Sequence, residues 1–364
     1  MKDNEKQMSR RKFIKNTAAI SSVPLIVGSN RATPLLDARV EKQDTPDDSG
    51  QTSVEKRPAN MPMRRLGKTD IYVSVLCCGG FGGDNVEQYV ERAIELGVNL
   101  FDTASQYDNE KDFGNFVSTY RDQIYVSSKF NGWPGPESDY PGTRYLDHAK
   151  REFENTMNNI KSDYLDIYLM HALKPEDNFS DYDDIWRWMS DLKDEGAVRF
   201  LGFSDMDSAA KGVEFIERYD PDVCMIAMNA IGKLDWVPNP TLHDFVEDVL
   251  PVAREHDVGV IAMKVMRSLV NTTNTPEECL AYVLNMDGVA TAVVGQPSID
   301  ELEQNAEIVS RFVGETGIKH GELFDFEDIQ RRARVLAEHL IWRQPGYEDT
   351  GGSHLIRLRD EYTV

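Results

Sequence analysis

The chain has 364 residues, 40% of them hydrophobic, and a net charge of −22. That length builds one large core or two modest ones, and that charge disfavours nucleic acid and anionic membranes as partners. Four cysteines (Cys77, Cys78, Cys224, Cys279) without a C-x-x-C spacing, and seven histidines without an H-x-H or H-x-x-x-H pair, leave zinc, iron–sulfur and histidine-metal sites unsupported, so no metal is expected.

The first 32 residues run against the overall charge, with seven Lys/Arg and two Asp/Glu. Within them S-R-R-K-F-I-K (9–15) precedes T-A-A-I-S-S-V-P-L-I-V-G (17–28), a moderately apolar run too short for a comfortable membrane span. This is the layout of a secretory signal. The segment around Arg10 and Arg11 resembles the twin-arginine signal family, with Ile14 where leucine is more usual. That resemblance implies the twin-arginine translocation machinery as a partner. It also implies a destination in the periplasm or on the outer face of the cytoplasmic membrane, and a signal peptide over 1–32 ending near Ala32. Residues 33–62 are polar, rich in Asp, Pro and Ser and without an apolar period, and predict a flexible linker.

From residue 71 strands and helices alternate. I-Y-V-S-V-L-C-C-G-G (71–80) reads as a strand ending in glycines, and V-E-Q-Y-V-E-R-A-I-E-L-G (86–97) as a helix stopped by Gly97. Strands follow at 99–104, 123–130, 163–173, 197–204, 222–229, 258–265 and 289–295. Helices fall near 111–120 and at 143–160, 182–196, 207–219, 241–257, 276–288 and 298–312. Runs such as Leu165–Met170 are apolar throughout, as strands covered on both faces should be. Eight such units over roughly 250 residues fit a (β/α)8 TIM barrel of class α/β, placed over 63–312. A doubly wound sheet is the alternative, but C-C-G-G-F-G-G-D-N (77–85) lacks the G-x-G-x-x-G spacing. Residues 313–364 form a C-terminal extension, with a helix expected over 327–342 and irregular chain after it.

Barrels gather function at the C-terminal ends of their strands. Here the second strand ends in F-D-T-A with Asp102, Tyr107 lies five residues on, the third ends at Lys129 and the fourth at His171. A free tyrosine, with a pKa of about 10, is a poor acid near neutrality, and a neighbouring lysine cation favours its phenolate. Asp102 can hold that lysine charged, and a neutral His171 can orient a carbonyl oxygen. The set contains no nucleophile paired with a base. A carbonyl activated this way still needs a hydride, which no side chain supplies and a cofactor must.

F-D-T-A-S-Q-Y (101–107), S-S-K (127–129) and D-Y-L-D-I-Y-L-M-H (163–171) together resemble the aldo-keto reductase family, over roughly residues 63–312. The resemblance implies Asp102, Tyr107, Lys129 and His171 as a catalytic tetrad with Tyr107 as general acid/base. It implies hydride transfer between NAD(P)(H) and a small-molecule aldehyde, ketone, sugar or alcohol. For the cofactor it implies Ser204 and Asp205 in G-F-S-D at the nicotinamide, with Asp205 standing where the family has Asn. V-V-G-Q-P-S-I-D-E-L-E-Q-N (293–305) implies Gly295, Ser298, Gln304 and Asn305 at the adenosine phosphates. Glu301 stands where many members place an arginine; a carboxylate there prefers a ribose hydroxyl to a phosphate, whereas Lys264 and Arg267 offset that repulsion. The family's habit favours NADP over NAD. Phe81, Trp133 and Trp236 lie in strand-end loops and are the candidate substrate contacts, Trp133 first because it follows the Lys129 strand.

Two other function classes compete. An exported sensory or accessory protein would bind the cofactor and turn over little. A barrel hydrolase would need a second carboxylate beside Asp102. Oligomeric state is not legible.

Overall fold

The structure, a computed structural model, describes residues 61–340 apart from 81–84, 108, 132–144, 172, 174–178, 206, 233–244, 268, 271–272, 316 and 320. The twin-arginine segment, most of the linker, the end of the extension, and Phe81, Trp133 and Trp236 lie outside the described residues.

A short antiparallel hairpin comes first: β1 (Met63–Arg65) and β2 (Tyr72–Ser74), with Arg64 opposite Val73. Among the described residues, eight parallel strands then alternate with helices. They run β3 (Leu76–Gly79), α1 (Val86–Glu95), β4 (Leu100–Asp102), α2 (Glu110–Tyr120), β5 (Tyr125–Asn131), α3 (Tyr145–Ile160), β6 (Leu165–His171) and α4 (Phe179–Asp194). The second half is β7 (Val198–Asp205), α5 (Ala209–Tyr219), β8 (Val223–Ala227), α6 (Leu250–Glu255), β9 (Gly259–Met263), α7 (Pro276–Leu284), β10 (Val289–Gly295) and α8 (Ile299–Phe312). Each strand pairs with the next in the chain, and β10 closes onto β3. This is the (β/α)8 barrel; closure removes the doubly wound alternative.

The apolar runs are buried as double-faced strands must be: β8 and β9 throughout, and β6 from Leu165 to Met170. Helix starts carry side-chain caps. Ser208 accepts from the Lys211 amide, Ser298 from Glu301, and Thr275 and Glu278 form a reciprocal capping box ahead of Pro276.

The single strand expected over 71–80 is two. At Ser74 the chain leaves the hairpin and enters the barrel. Its amide donates to Asn99 Oδ1 at 2.8 Å, its Oγ donates to Leu76 O at 2.6 Å, and the Asn99 amide donates back to Ser74 Oγ at 3.1 Å. That side-chain exchange redirects the backbone at Val75, which no apolar alternation records.

The hairpin covers the N-terminal mouth of the barrel. Arg64, 8% exposed, donates to four backbone carbonyls: Leu284 and Val289 through Nη1 at 3.0 and 2.8 Å, Gly314 through Nε and Nη2 at 3.2 and 3.1 Å, and Gly317 through Nη2 at 3.2 Å. Arg65 grips Asp257 with two bonds of 2.8 and 2.6 Å, and Lys68 pairs with Asp220 at 2.6 Å. Beyond α8, α9 (Phe326–Leu340) packs beside α7 through Arg332, which pairs with Glu278 at 2.5 Å and donates to the Thr273 carbonyl.

Candidate active site

Strand alternation sets the inner wall. Asp102 ends β4 opposite Ser127 of β5, so Ser127 and Lys129 face inward while Ser128 between them faces out. Ser127 Oγ donates to Asp102 Oδ1 at 2.9 Å; Lys129 Nζ donates to Asp102 Oδ2 at 2.5 Å and to the Thr103 carbonyl at 2.9 Å. The chain after β4 continues along β5. Thr103 N donates to Ser127 O at 2.9 Å and Ser105 N to Lys129 O at 3.1 Å, then a turn closes with Tyr107 N to Ala104 O at 2.9 Å. The Tyr107 ring thereby comes to lie with its centroid 5.0 Å from Lys129 Nζ. On the next strand Leu169 pairs with Lys129, and His171 stands two residues further out, opposite Asn131.

Asp102, Tyr107, Lys129 and His171 line one cavity of about 450 Å³. Asp102, Lys129 and His171 come from the C-terminal parts of three consecutive strands and Tyr107 from the turn after β4, and the fold brings the four together; β5 runs two residues past Lys129, to Asn131. Lys129 is only 2% exposed. Burial by itself lowers its pKa, but the charge of Asp102, the proximity of Tyr107 and the hydrogen bond to Asp102 outweigh it, and the net shift is upward. The pair therefore keeps a proton on Lys129 beneath the phenol.

The far side of the cavity comes from β8, β9, β10 and β3: Met225, Met263, Lys264, Val265, Met266, Arg267, Val293, Val294, Gly295, Gly79 and Gly80. Lys264 holds a left-handed backbone, with φ at +61°, a strained state for a lysine. Burial, then the charges of Lys129 and Arg267, lower its pKa against the opposing pull of Asp102. The three methionines and three valines escaped the sequence reading because apolar residues in and just after strands look like core. Only their place marks them: Met225 within β8, Met263 at the end of β9, Val265 and Met266 just past it, and Val293 and Val294 just before the end of β10.

The expected cofactor residues divide. Lys264 and Gly295 line the cavity. Ser204 lies beneath it, with Oγ 3.8 Å from Met263 Sδ. Asp205 is buried, and its Oδ1 accepts from the amides of Asp207 at 2.9 Å and Ser208 at 3.3 Å in the turn into α5. Ser298 caps α8 through the Glu301 amide at 3.2 Å; Glu301 and Gln304 are exposed on the first turns and Asn305 is buried. Ser204, Asp205, Ser298, Glu301, Gln304 and Asn305 do not line the cavity.

The cleft fits a dinucleotide. Gly79, Gly80 and Gly295 lie side by side, and a Cβ on Gly295 would meet Gly79 O at 3.4 Å, so bare backbone lines one side. Lys264 and Arg267 bring positive charge beside it, and α8 opens just past Gly295, after its Ser298 cap, with its amide ends suited to an anion. A nicotinamide dinucleotide held there would supply the hydride. Asp102 is the sole carboxylate among the described lining residues. Among the described residues no group of three or more His, Cys, Asp or Glu is placed to hold a metal.

Comparison with known proteins agrees with this geometry. The profile described as "Aldo/keto reductase family" matches residues 79–278. The chain is similar to an uncharacterized oxidoreductase, YqkF, of Bacillus subtilis, at 25% identity over 75% of this chain and all of the relative. It is also similar to NADPH-dependent codeinone reductase 1-1 of Papaver somniferum, at 25% identity over 65% of this chain and 75% of the relative. Among solved structures, the holo form of an aldo-keto reductase from Bacillus halodurans shares the fold. The TM-score is 0.59 at 22% identity, covering 75% of this chain and 96% of that one.

Proposed function

The chain belongs to the aldo/keto reductase family, and on that premise we propose that it moves a hydride between NADP(H) and a small carbonyl or alcohol compound, with Tyr107 as the general acid/base. The observation that carries this reading is the buried Asp102–Lys129 pair at 2.5 Å under the Tyr107 ring. As hydride reaches the carbonyl carbon, the oxygen becomes an alkoxide and takes the phenolic proton of Tyr107. Lys129, held charged by Asp102, stabilises the phenolate left behind. His171 lies on the same wall and orients the carbonyl oxygen. In the reverse direction the phenolate accepts the alcohol proton. Lys264 and Arg267 would hold the dinucleotide phosphates, which favours NADP; the exposed Glu301 pulls toward NAD.

Tyr107→Phe should cut NADPH-dependent reduction of methylglyoxal or 4-nitrobenzaldehyde at least about 1000-fold while dinucleotide binding persists. Retained turnover would sink the assignment. Binding without turnover in the wild type would favour the sensory or accessory role.

The export signal read at Arg10 and Arg11 extends the proposal. The twin-arginine route carries folded proteins, so the dinucleotide would be loaded before export. It would then be held tightly and recycled in place, oxidised by one substrate and reduced by another. Denaturing protein from the exported fraction should release close to one dinucleotide per chain, identified by chromatography. Protein that loses its dinucleotide on dialysis, yet works with added NADPH, would refute the recycling.

A further inference from the structure

The carboxylate of Glu110 lies outside the cavity, and the mechanism above does not use it. It is fully buried at the start of α2, and among the described residues no lysine or arginine pairs with it. Three neutral donors converge on its two oxygens. Ser128 Oγ reaches Oε1 at 2.7 Å, Thr156 Oγ1 reaches Oε1 at 3.2 Å and Oε2 at 3.4 Å, and Asn159 Nδ2 reaches Oε2 at 3.1 Å. Burial raises its pKa against the opposing hydrogen bonds from Ser128, Asn159 and Thr156. Burying a carboxylate without a counter-charge is costly, so a purely structural post would be better filled by an uncharged side chain.

Its location supplies the reason. Ser128 is the outward neighbour of Lys129, so Glu110 holds from outside the same piece of β5 that Asp102 holds from inside. Asp102 and Glu110 are also the two ends of the segment that carries Tyr107. One end is bound to Ser127 and Lys129, the other to Ser128, and the Glu110 amide donates to the Tyr107 carbonyl at 3.1 Å. One turn further on, Gly114 lets α2 meet the end of α3. A Cβ there would fall 1.8 Å from the Asn159 carbonyl oxygen, so the close approach that brings Asn159 to Glu110 needs glycine.

We propose that Glu110 is the positioning residue for Tyr107: bonded to Ser128, Thr156 and Asn159, it fixes the far end of the Asp102–Glu110 segment against β5 and so sets the phenol over Lys129. This rests on the reading of Tyr107 as the acid/base. All three partners donate to Glu110 in the structure, so an amide fits there only if Asn159 flips or a hydroxyl turns to accept. A glutamine side chain in place of Glu110 would keep one acceptor and turn an NH2 toward the Asn159 amide or the Thr156 hydroxyl.

The test uses the full chain with NADPH and 4-nitrobenzaldehyde, together with hydrogen exchange of the backbone. Glu110→Gln should lower kcat about 10-fold or more with KM within twofold. It should also speed exchange at the amides of Ser105, Tyr107 and Glu110 while β8 and β9 stay protected. Glu110→Gln/Asn159→Asp, which restores a donor facing an acceptor, should recover most of the lost kcat. Should Glu110→Gln not fold, Ser128→Ala removes one donor only and should lower kcat about threefold with the same local exchange. Unchanged kcat and local exchange in the folded variant would overturn the proposal. So would a loss of protection spread evenly over the barrel, or a double variant no better than the single. If the wild type reduces no carbonyl, or Tyr107→Phe works as well as the wild type, the functional reading fails and the local exchange alone decides the clamp.

Discussion

Lys129 and Arg64 are both buried cations, 2% and 8% exposed, one at each mouth of the same barrel. At the C-terminal mouth Lys129 meets a carboxylate, and its pKa is raised despite its burial. At the N-terminal mouth Arg64 meets, among the described residues, neutral carbonyls, and burial lowers its pKa to about 10. The carbonyl partners are ends of chain that need donors, so Arg64 joins β1 to the turns around α7, β10 and the chain after α8. The carboxylate partner holds a proton in place next to a phenol in an open cavity. Burial and sign of charge are shared; the charge of the partner separates a structural tie from a chemical one.

Removing each cation tests that separation, and the largest effect belongs to Lys129. Lys129→Met leaves Asp102 buried without its counter-charge, which should cost roughly 3–5 kcal/mol in urea unfolding and abolish turnover of the protein that still folds. Arg64→Met strands several buried carbonyls and should cost about 3 kcal/mol, yet kcat of the folded protein should stay within twofold. A large fall in kcat with Arg64→Met would break the contrast.

The opposite shifts give opposite pH dependences. A lysine with a raised folded pKa adds stability that is complete below its ordinary value near 10.4 and drains away as pH climbs through the folded value. For Arg64 the folded chain sheds its proton near pH 10, before the unfolded chain does, so its contribution rises over the same range. Urea midpoints from pH 8 to 11 should therefore fall less steeply in Lys129→Met than in the wild type, and more steeply in Arg64→Met. Identical profiles would remove the contrast in partner charge.

The smallest effect lies on the surface beside Arg64. Arg65 and Asp257 are 41% and 52% exposed, so solvent screens them. Arg65→Ala should cost about 0.5 kcal/mol and less in 1 M salt. A loss above about 2 kcal/mol would mean the hairpin depends on this pair more than on Arg64.

The tetrad was legible because a barrel strand ends where its polar residue begins. Asp102 and His171 each close an apolar run, Lys129 lies near the end of its strand after Ser127 and Ser128, and Tyr107 follows Asp102 at a turn's distance. Glu110 was not legible, since an acid in the first turn of a helix usually faces water and favours the helix dipole; only the approach of α3 makes it buried. Asp205 read as a nicotinamide contact; what the sequence did not show is that its Oδ1 accepts from the amides that begin α5. Met225 and Met263 carry no polar mark, so nothing separated cavity wall from core.

By itself the sequence determined the alternation of strands and helices, the closed barrel that eight such units imply, the four residues gathered at one mouth and the family they indicate. Those features are written in local periodicity and in the residue that ends each strand. Tertiary structure alone decided the break at Ser74, the seating of Arg64 among carbonyls, the wall opposite the tetrad and the hold of Glu110 on β5. Each of these depends on contacts between residues distant in the chain, where distance, burial and the charge of the partner, rather than residue type, set what a side chain does.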